Sequence, residues 1–250
     1  MNPTLKKCLL LALVSCLLAA CASTAKVTDD SAELKRINPD PYEGFNRAVF
    51  SFNNGVDKVL FKPLAKGYKF VTPDLAEAGV SNFFSNLLEI RNIVNAGLQG
   101  KGEKTLTYTW RFIVNSTFGL FGLLDVASEI GLETKGGEDF GQTLAAWGFK
   151  SGAYIVIPFL GPSTVRDGFS LPVDFYLDPA NDVDDIATRN ALTFTEIISM
   201  RAGLLDTEKL LSGDRYVFIR DAYLQRRNYL VNDGQVEDSF GESLDDDQDF

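Results

Sequence analysis

The 250-residue chain contains no histidine. Its three cysteines, Cys8, Cys16 and Cys21, all lie in the first 21 residues, so no thiol follows them. Ser-His-Asp and Cys-His catalysis both need an imidazole, and protein zinc sites are built mainly from His and Cys. These absences exclude a lipase with the usual triad, a cysteine hydrolase and a His-based metal site. We expect no cofactor and no enzymatic activity.

The N-terminus has the pattern of a bacterial lipoprotein leader. Lys6 and Lys7 precede an apolar run over residues 8–18, and Cys21 follows Leu18-Ala19-Ala20. A charged start, a short apolar run and small residues before a cleavage point are typical of a secretory signal peptide. An ordinary signal peptide or a membrane anchor, each with a chance cysteine, is the alternative. About 11 apolar residues are too few for an anchor, since a spanning helix needs about 20. We therefore interpret residues 1–20 as a lipoprotein signal peptide and Cys21 as the lipid-anchor residue.

The residues flanking this leader favour the outer membrane. Ala22 follows the cysteine, where Asp would have indicated retention in the inner membrane. Residues 21–39 are small, polar and charged, as in a flexible tether between lipid and fold. We expect a lipid-anchored protein that faces the periplasm.

Negative charge is concentrated at the C-terminus. Removal of residues 1–20 takes away two lysines, so 34 acidic and 22 basic residues remain, with a net charge of −12. Seven of these acids lie in residues 237–249, so we interpret residues 235–250 as an acidic disordered tail, with a docking arm as the alternative. An acidic chain without clustered Lys and Arg argues against nucleic-acid binding.

The intervening residues read as mostly helical. Apolar residues recur at helical spacing in two segments, from Phe45 to Val59 and from Phe83 to Leu98. We expect Pro63 to end the first helix, and we expect further helices near 104–128, 185–205 and 215–230. A short strand over 154–157 is the only β candidate, and Pro158 and Pro162 crowd it.

One segment is unusually apolar. Residues 112–124 contain no charge over thirteen positions, and Gly119 and Gly122 interrupt them. As a helix the segment would be about 20 Å long, shorter than a hydrocarbon core of about 30 Å. The glycines favour a turn, which would make the segment a re-entrant or interfacial hairpin. A helix pair buried in an ordinary core is the alternative.

The sequence contains few candidates for a metal-binding or catalytic site. Five aspartates from Asp174 to Asp185 suggest calcium, but their spacing differs from a calcium loop, and helix capping explains them better. A hydrolase using two carboxylates stays open on composition alone, although no particular pair stands out.

Basic residues mark two further candidate sites. Arg111 precedes the apolar segment and is a candidate for contact with a lipid phosphate. The last predicted helix combines basic and aromatic residues, which indicates either a salt-bridged surface or a partner-docking face; the docking candidates are Arg220, Tyr223, Arg226 and Arg227.

Several motifs together resemble the MlaA (VacJ) family of outer-membrane lipoproteins. They are DPYEGFNR at 40–47, RFIVNSTFG at 111–119, EDFGQTL at 138–144, IPFLGPSTVRDG at 157–168, and the helix at 215–230. They occur in the family's order and follow the lipoprotein signal peptide. The resemblance extends over about residues 38–234. It implies a single all-α domain over residues 40–234.

The resemblance also implies a function. It implies a helical ring embedded in one leaflet of the outer membrane, with a central amphipathic channel. Such proteins remove mislocalised phospholipids from the outer leaflet, associate with trimeric porins and pass lipid to a periplasmic carrier of the MlaC type. We expect residues 112–124 to form a gating hairpin around Phe118, Gly119, Phe121 and Gly122. A structural adaptor that binds porins without transporting lipid is the alternative function.

Overall fold

The computed structural model describes residues 40–134, 136–210 and 213–235. They belong to one compact unit, residues 39–250. The signal peptide, Cys21, the tether and all of the acidic tail except Gln235 lie outside the described residues, so those interpretations stay predictions.

The described chain is helical apart from one small hairpin. Its helices and strands follow in this order: α1 (Glu43–Val56), α2 (Lys62–Val71), α3 (Asp74–Leu98), α4 (Gly102–Thr117), α5 (Val126–Glu129), α6 (Phe140–Ala146), β1 (Tyr154–Ile157), β2 (Gly161–Thr164), α7 (Val165–Tyr176), α8 (Ile186–Thr207) and α9 (Arg215–Val231). Short 3₁₀ turns lie at Pro179–Asp182 and Glu208–Leu210. The all-α class is confirmed, whereas the ring and the channel stay predictions.

Pro63 does not end the first helix. A π-helical turn at Asp57–Phe61 joins α1 to α2 without leaving helical backbone angles, and Lys62 N donates to Asp57 O. Pro63 then falls in the first turn of α2, where its missing N–H is tolerated. The expected stop was wrong because the wider turn moves the hydrogen-bond register just ahead of the proline.

The periodic helix predicted from Phe83 to Leu98 is confirmed as part of α3. Its buried face, however, is largely polar, and carries Asn86, Glu89, Asn92 and Asn95 beside Phe84 and Ala96. The apolar side chains of Val94 and Leu98 are exposed. Helical period therefore predicted the helix but not which face turns inward.

The strand candidate at 154–157 is real and pairs antiparallel with β2, Val156 lying opposite Pro162. Two asparagines of α1 occupy the other edge of β1. Asn46 Nδ2 donates to Tyr154 O at 3.1 Å, and its Oδ1 accepts from Val156 N at 2.9 Å. Asn53 makes the same pair of bonds: its Nδ2 donates to Ile157 O at 3.0 Å, and its Oδ1 accepts from Phe159 N at 2.8 Å.

The spacing explains how a helix can serve as a third strand. Asn46 and Asn53 are two helical turns apart, or about 10.5 Å. Their partners on the hairpin are displaced by three residues, or about 10 Å of extended chain. Each amide side chain therefore meets one N–H and one C=O of β1 or the turn after it.

Aspartates begin several helices. Asp178 accepts from Ala180 N at the 3₁₀ turn and Asp185 accepts from Thr188 N at α8. Asp174 instead accepts from Phe140 N at 2.8 Å and from Ser170 Oγ at 3.2 Å. The capping interpretation is confirmed for Asp178 and Asp185, and the described residues contain no acidic cluster that could hold a metal ion.

Candidate functional site

The described residues show an inverted distribution of polarity. Eighteen polar or charged residues are buried, against eleven apolar ones, five of which are alanines. Thirty-five large apolar side chains are exposed, and Phe70, Val59, Phe169 and Phe121 are each at least 80% accessible. A water-soluble domain places most Phe, Leu, Ile and Val inside. This outer surface is therefore suited to a hydrocarbon environment.

Membrane-spanning length is a separate question. No helix among the described residues is long and apolar enough to cross a bilayer.

Arg111 lies in a buried ion-pair network. Its Nε donates to Glu89 Oε1 at 2.8 Å, and its Nη2 lies 3.2 Å from both Asp125 oxygens. Its Nη1 donates to Ser128 Oγ and to Leu132 O. The expected phosphate contact is thus corrected, because the guanidinium is 8% exposed and protein groups use all three of its nitrogens.

Burial and pairing act differently on the two acids of this network. Burial raises the pKa of Glu89 despite the hydrogen bond from Arg111. Burial also acts to raise the pKa of Asp125, but hydrogen bonds from Ser128 and Asn115 outweigh it and lower that pKa. The network fixes the base of the following loop, since Asn115 also donates to Asp125 at 2.9 Å.

The apolar segment bends where its glycines lie. Helix α4 ends at Thr117, the helix expected to continue to 128 stops there, and the chain resumes helical form only in α5. Leu120, Phe121 and Gly122 all have positive φ, at 54°, 61° and 90°. Phe118 and Phe121 are 73% and 81% exposed. A turn is present, with two aromatic side chains at its tip.

Both glycines are required by close packing at the base of this turn. A Cβ on Gly119 would lie 2.2 Å from Leu124 O and 2.5 Å from Asn115 O. A Cβ on Gly122 would lie 2.6 Å from Asn86, on a backbone whose positive φ already favours glycine. The base is therefore fixed, while the apolar tip projects from it.

An apolar pocket of about 340 Å³ lies beside the turn. Leu123 of the turn, Phe83 and Phe84 of α3 and Leu192 of α8 contribute to its walls. The turn thus borders a space whose lining suits an acyl chain.

A second cavity, of about 450 Å³, has a mixed lining. Apolar groups such as Phe50, Val156 and Ile219 form much of its wall, and four charged residues share the space: Asp57, Arg201, Glu208 and Arg215. Its size is within the range of small-molecule sites. An amphipathic molecule could place both of its ends here.

Ion pairs organise the charged wall of this mixed-lining cavity. Arg201 binds Asp57 through two hydrogen bonds of 2.6 and 2.8 Å, and Glu208 at 2.7 Å. Arg215 and Lys62 also donate to Glu208, at 3.1 and 3.0 Å. Burial alone would raise the pKa of Glu208, but the hydrogen bonds from Arg201 and Lys62 outweigh it and lower the pKa to about 2. Sequence reasoning missed this cluster, although an arginine within the apolar run of α8 was a usable signal.

The four docking candidates on α9 divide into two groups. Arg227 donates to Asp139 and Asp167, at 2.7 and 2.9 Å, and Tyr223 Oη donates to Asp167 at 2.9 Å.

Arg220 pairs with Asp221 at 2.9 Å and lies 3.5 Å from Asp40. These three candidates hold α9 against the rest of the fold, so docking through them is corrected to a structural role. Arg226 is exposed and forms no ion pair within the described part of the chain.

Comparisons with known proteins agree with this geometry. The model for the family described as MlaA lipoprotein matches residues 38–230. An uncharacterised protein of Rickettsia prowazekii is 47% identical over 128 residues, which are 51% of this chain and 51% of that protein. The chain is 35% identical over 231 residues to the intermembrane phospholipid transport system lipoprotein MlaA of Escherichia coli, covering 90% of this chain and 89% of that one.

A solved structure also matches. It concerns the maintenance of bacterial outer-membrane lipid asymmetry, and it aligns with a TM-score of 0.68 and 34% identity over 77% of this chain and 99% of its own. The family model covers well over half of the chain, and the fold is shared over most of it. This chain therefore belongs to the MlaA lipoprotein family.

Proposed function

We propose that this protein removes mislocalised phospholipids from the outer leaflet of the outer membrane and passes them to a periplasmic carrier, which maintains lipid asymmetry. The observation that carries the proposal is the inverted polarity: apolar side chains face outward while polar ones are buried. Family membership supports the same conclusion, since the E. coli relative is named for intermembrane phospholipid transport.

The inversion suits a protein embedded in one leaflet. Outward Phe and Leu contact acyl chains, and the charged wall of the mixed-lining cavity offers a route for a charged head group. A polar group in hydrocarbon without partners costs several kcal/mol, so a polar route lowers the barrier to crossing. We propose a helical ring with a central amphipathic channel, to which the mixed-lining cavity beside Arg201 belongs. This transport requires no covalent chemistry.

The function is tested by complementation. In an E. coli strain without its own MlaA, the chain is expected to return outer-leaflet phosphatidylethanolamine to the wild-type level. A membrane-impermeant amine reagent applied to intact cells measures that lipid. Unchanged labelling with normal amounts of protein in the outer membrane would contradict transport, and co-purification of a porin in that case would identify an adaptor.

Residues 118–122 are proposed as a gate because an exposed apolar tip stands on a fixed base. Gly119→Val places methyl groups against Leu124 O and Asn115 O and is expected to raise outer-leaflet phospholipid. Gly97→Val is the matched control, since nothing lies within 4 Å of its Cβ. Phe121→Ser alters the tip without disturbing the base. Wild-type asymmetry in both Gly119→Val and Phe121→Ser would exclude a gate.

Cys21 is proposed as the anchor that holds the domain at the outer membrane with its body facing the periplasm. Stable attachment of a lipidated protein takes more than one acyl chain. Cys21→Ala is expected to leave unprocessed or soluble protein, measured by membrane fractionation. Normal outer-membrane fractionation of this variant would overturn the assignment.

Arg226 is the candidate that remains for docking a trimeric porin or the MlaC-type carrier. A photo-crosslinking residue at position 226 is expected to capture one of them in cells. Arg226→Gln is expected to lower the yield of that complex, and Lys150→Gln, an equal charge change at another exposed site, serves as the control. Equal yields from both variants would remove Arg226 from the interface.

A further inference from the structure

A lysine-rich pocket of about 500 Å³ lies between α2 and the end of α8. Its lysines are Lys62, Lys66, Lys69 and Lys209. The first three are spaced four and three residues apart, which places them on one face of α2. Two carboxylates, Asp206 and Glu208, share the lining, so the pocket carries a net charge of about +2 in a chain of net charge −10.

The carboxylates do not satisfy these cations one to one. Asp206 accepts from Lys69 at 3.1 Å and from Lys209 at 2.7 Å. Glu208 binds Lys62 but also serves Arg201 and Arg215.

Lys66 is exposed and has no ion pair within the described residues. The pocket therefore has positive charge to offer an added anion.

Apolar side chains form part of the pocket's rim. Phe70 and Leu205 line the pocket, Phe70 is 89% exposed, and Val71 beside Phe70 is 73% exposed. Exposed aromatic and aliphatic groups next to lysines are typical of a lipid interface, where the amines reach the head groups. A site for a free anion in water has no need of such a rim.

The pocket also adjoins the mixed-lining cavity, because Glu208 lines both spaces. A lipid held there could place its acyl chains against the apolar wall near Phe218 and its phosphate toward the lysines. Lys recognises phosphate as a point charge, so the contact needs no fixed geometry.

We propose that this lysine pocket selects phospholipids with anionic head groups over zwitterionic ones. A phosphoglycerol head group brings a net negative charge to the lysines, whereas the ammonium group of phosphoethanolamine would meet them with like charge. The inference rests on the proposed function, since it assigns a substrate preference to that transport.

The test measures which lipids the protein retains. Full-length lipoprotein is purified in mixed micelles containing equal amounts of phosphatidylglycerol and phosphatidylethanolamine, and the bound lipids are quantified by mass spectrometry. We expect enrichment of phosphatidylglycerol, weakened by added salt. Lys66→Gln is expected to lower its affinity about fivefold, which corresponds to the attraction of one lysine near an anionic surface. Lys150→Gln is the matched control and is expected to change nothing.

Three kinds of result would overturn the proposal. The first is equal retention of the two lipids by the wild-type protein, or wild-type affinity in both Lys66→Gln and a Lys66→Gln/Lys69→Gln double variant. The second is displacement of the lipid by soluble glycerol phosphate, which would indicate a free-phosphate site. The third is a preference that appears only after deletion of residues 236–250, which would make the acidic tail the occupant.

Failure of this proposal differs from failure of the transport function. A protein that retains both lipids equally and still restores leaflet asymmetry would overturn only the head-group preference. A protein that retains no phospholipid and restores no asymmetry would overturn transport itself.

Discussion

The two faces of α3 have opposite characters. Asn86, Glu89 and Asn92 on one face are buried, whereas Val94 and Leu98 on another face are 37% and 45% exposed. In water, burial of the apolar side chains would stabilise the domain. In a leaflet those side chains contact lipid whether or not they pack on protein, so the polar contacts inside must determine the structure. Variants of the two faces should therefore differ in their effects.

Among the buried polar contacts, the largest effect is expected from Arg111→Ala. The change removes the cation that pairs with Glu89 at 2.8 Å and leaves a buried carboxylate without its partner. Breaking a buried pair in this way costs about 3–5 kcal/mol. Chemical unfolding of the purified protein in detergent measures the loss.

Arg226→Ala is the control for this variant, because Arg226 is exposed. Its effect should stay within about 0.5 kcal/mol. Similar stabilities for Arg111→Ala and Arg226→Ala would mean that the buried network does not hold the fold.

Asn46→Ala is expected to have the next largest effect among these polar contacts. It removes the hydrogen bond donated to Tyr154 O and the one accepted from Val156 N, and leaves these backbone groups of β1 unsatisfied. An unsatisfied buried group costs about 1–3 kcal/mol. Ser51→Ala on the same helix is the control, since its hydroxyl is exposed and donates to Arg47 O within its own helix. A loss no larger than that of Ser51→Ala would show that the hairpin does not depend on the asparagine.

The sequence predicted the helices better than the interior. Apolar period located α1 and α3, because a helix with one apolar face has the same period whether that face meets protein or lipid. Arg111 shows the limit of this reasoning. Its partners Glu89 and Asp125 lie 22 and 14 residues away, so only the tertiary fold could show that its charge was already satisfied.

The same limit applies to the candidate site. Residues 118–122 were predictable as a turn because their glycines and lack of charge are local signals. The charged wall of the mixed-lining cavity joins Asp57 to Arg201 across 144 residues; the apolar run around Arg201 marks the arginine but cannot identify its partner. Pro63 misled because the π-helical turn at Asp57–Phe61 keeps the chain helical up to the proline, which then lies in the first turn of α2, where its missing N–H is tolerated.

Lowering the pH is expected to have a smaller effect on the free energy of unfolding. This change tests the charged wall of the mixed-lining cavity. Because the folded pKa of Glu208 is lowered to about 2 from the ordinary 4.5, its contribution to stability is present above about pH 4.5 and is lost as pH falls toward 2. Wild-type protein should therefore lose stability more steeply between pH 5 and 3 than Glu208→Gln, a range chosen to bracket that ordinary pKa. If the free energy of unfolding falls equally with pH in the two proteins, the cluster does not stabilise the folded state.

The smallest effect on folding is expected from Phe169→Ser on the outer face of α7. This ring is 80% exposed, so its loss removes contact with lipid or detergent and almost none with protein. The free energy of unfolding in detergent should change by no more than about 0.5 kcal/mol. Phe84→Ala gives the contrast, because that ring is 6% exposed and its removal should cost about 3–5 kcal/mol. A loss of 2 kcal/mol or more in Phe169→Ser, on the same scale of measured mutational effects, would mean that the outer ring packs against protein, and the contrast between the two faces would fail.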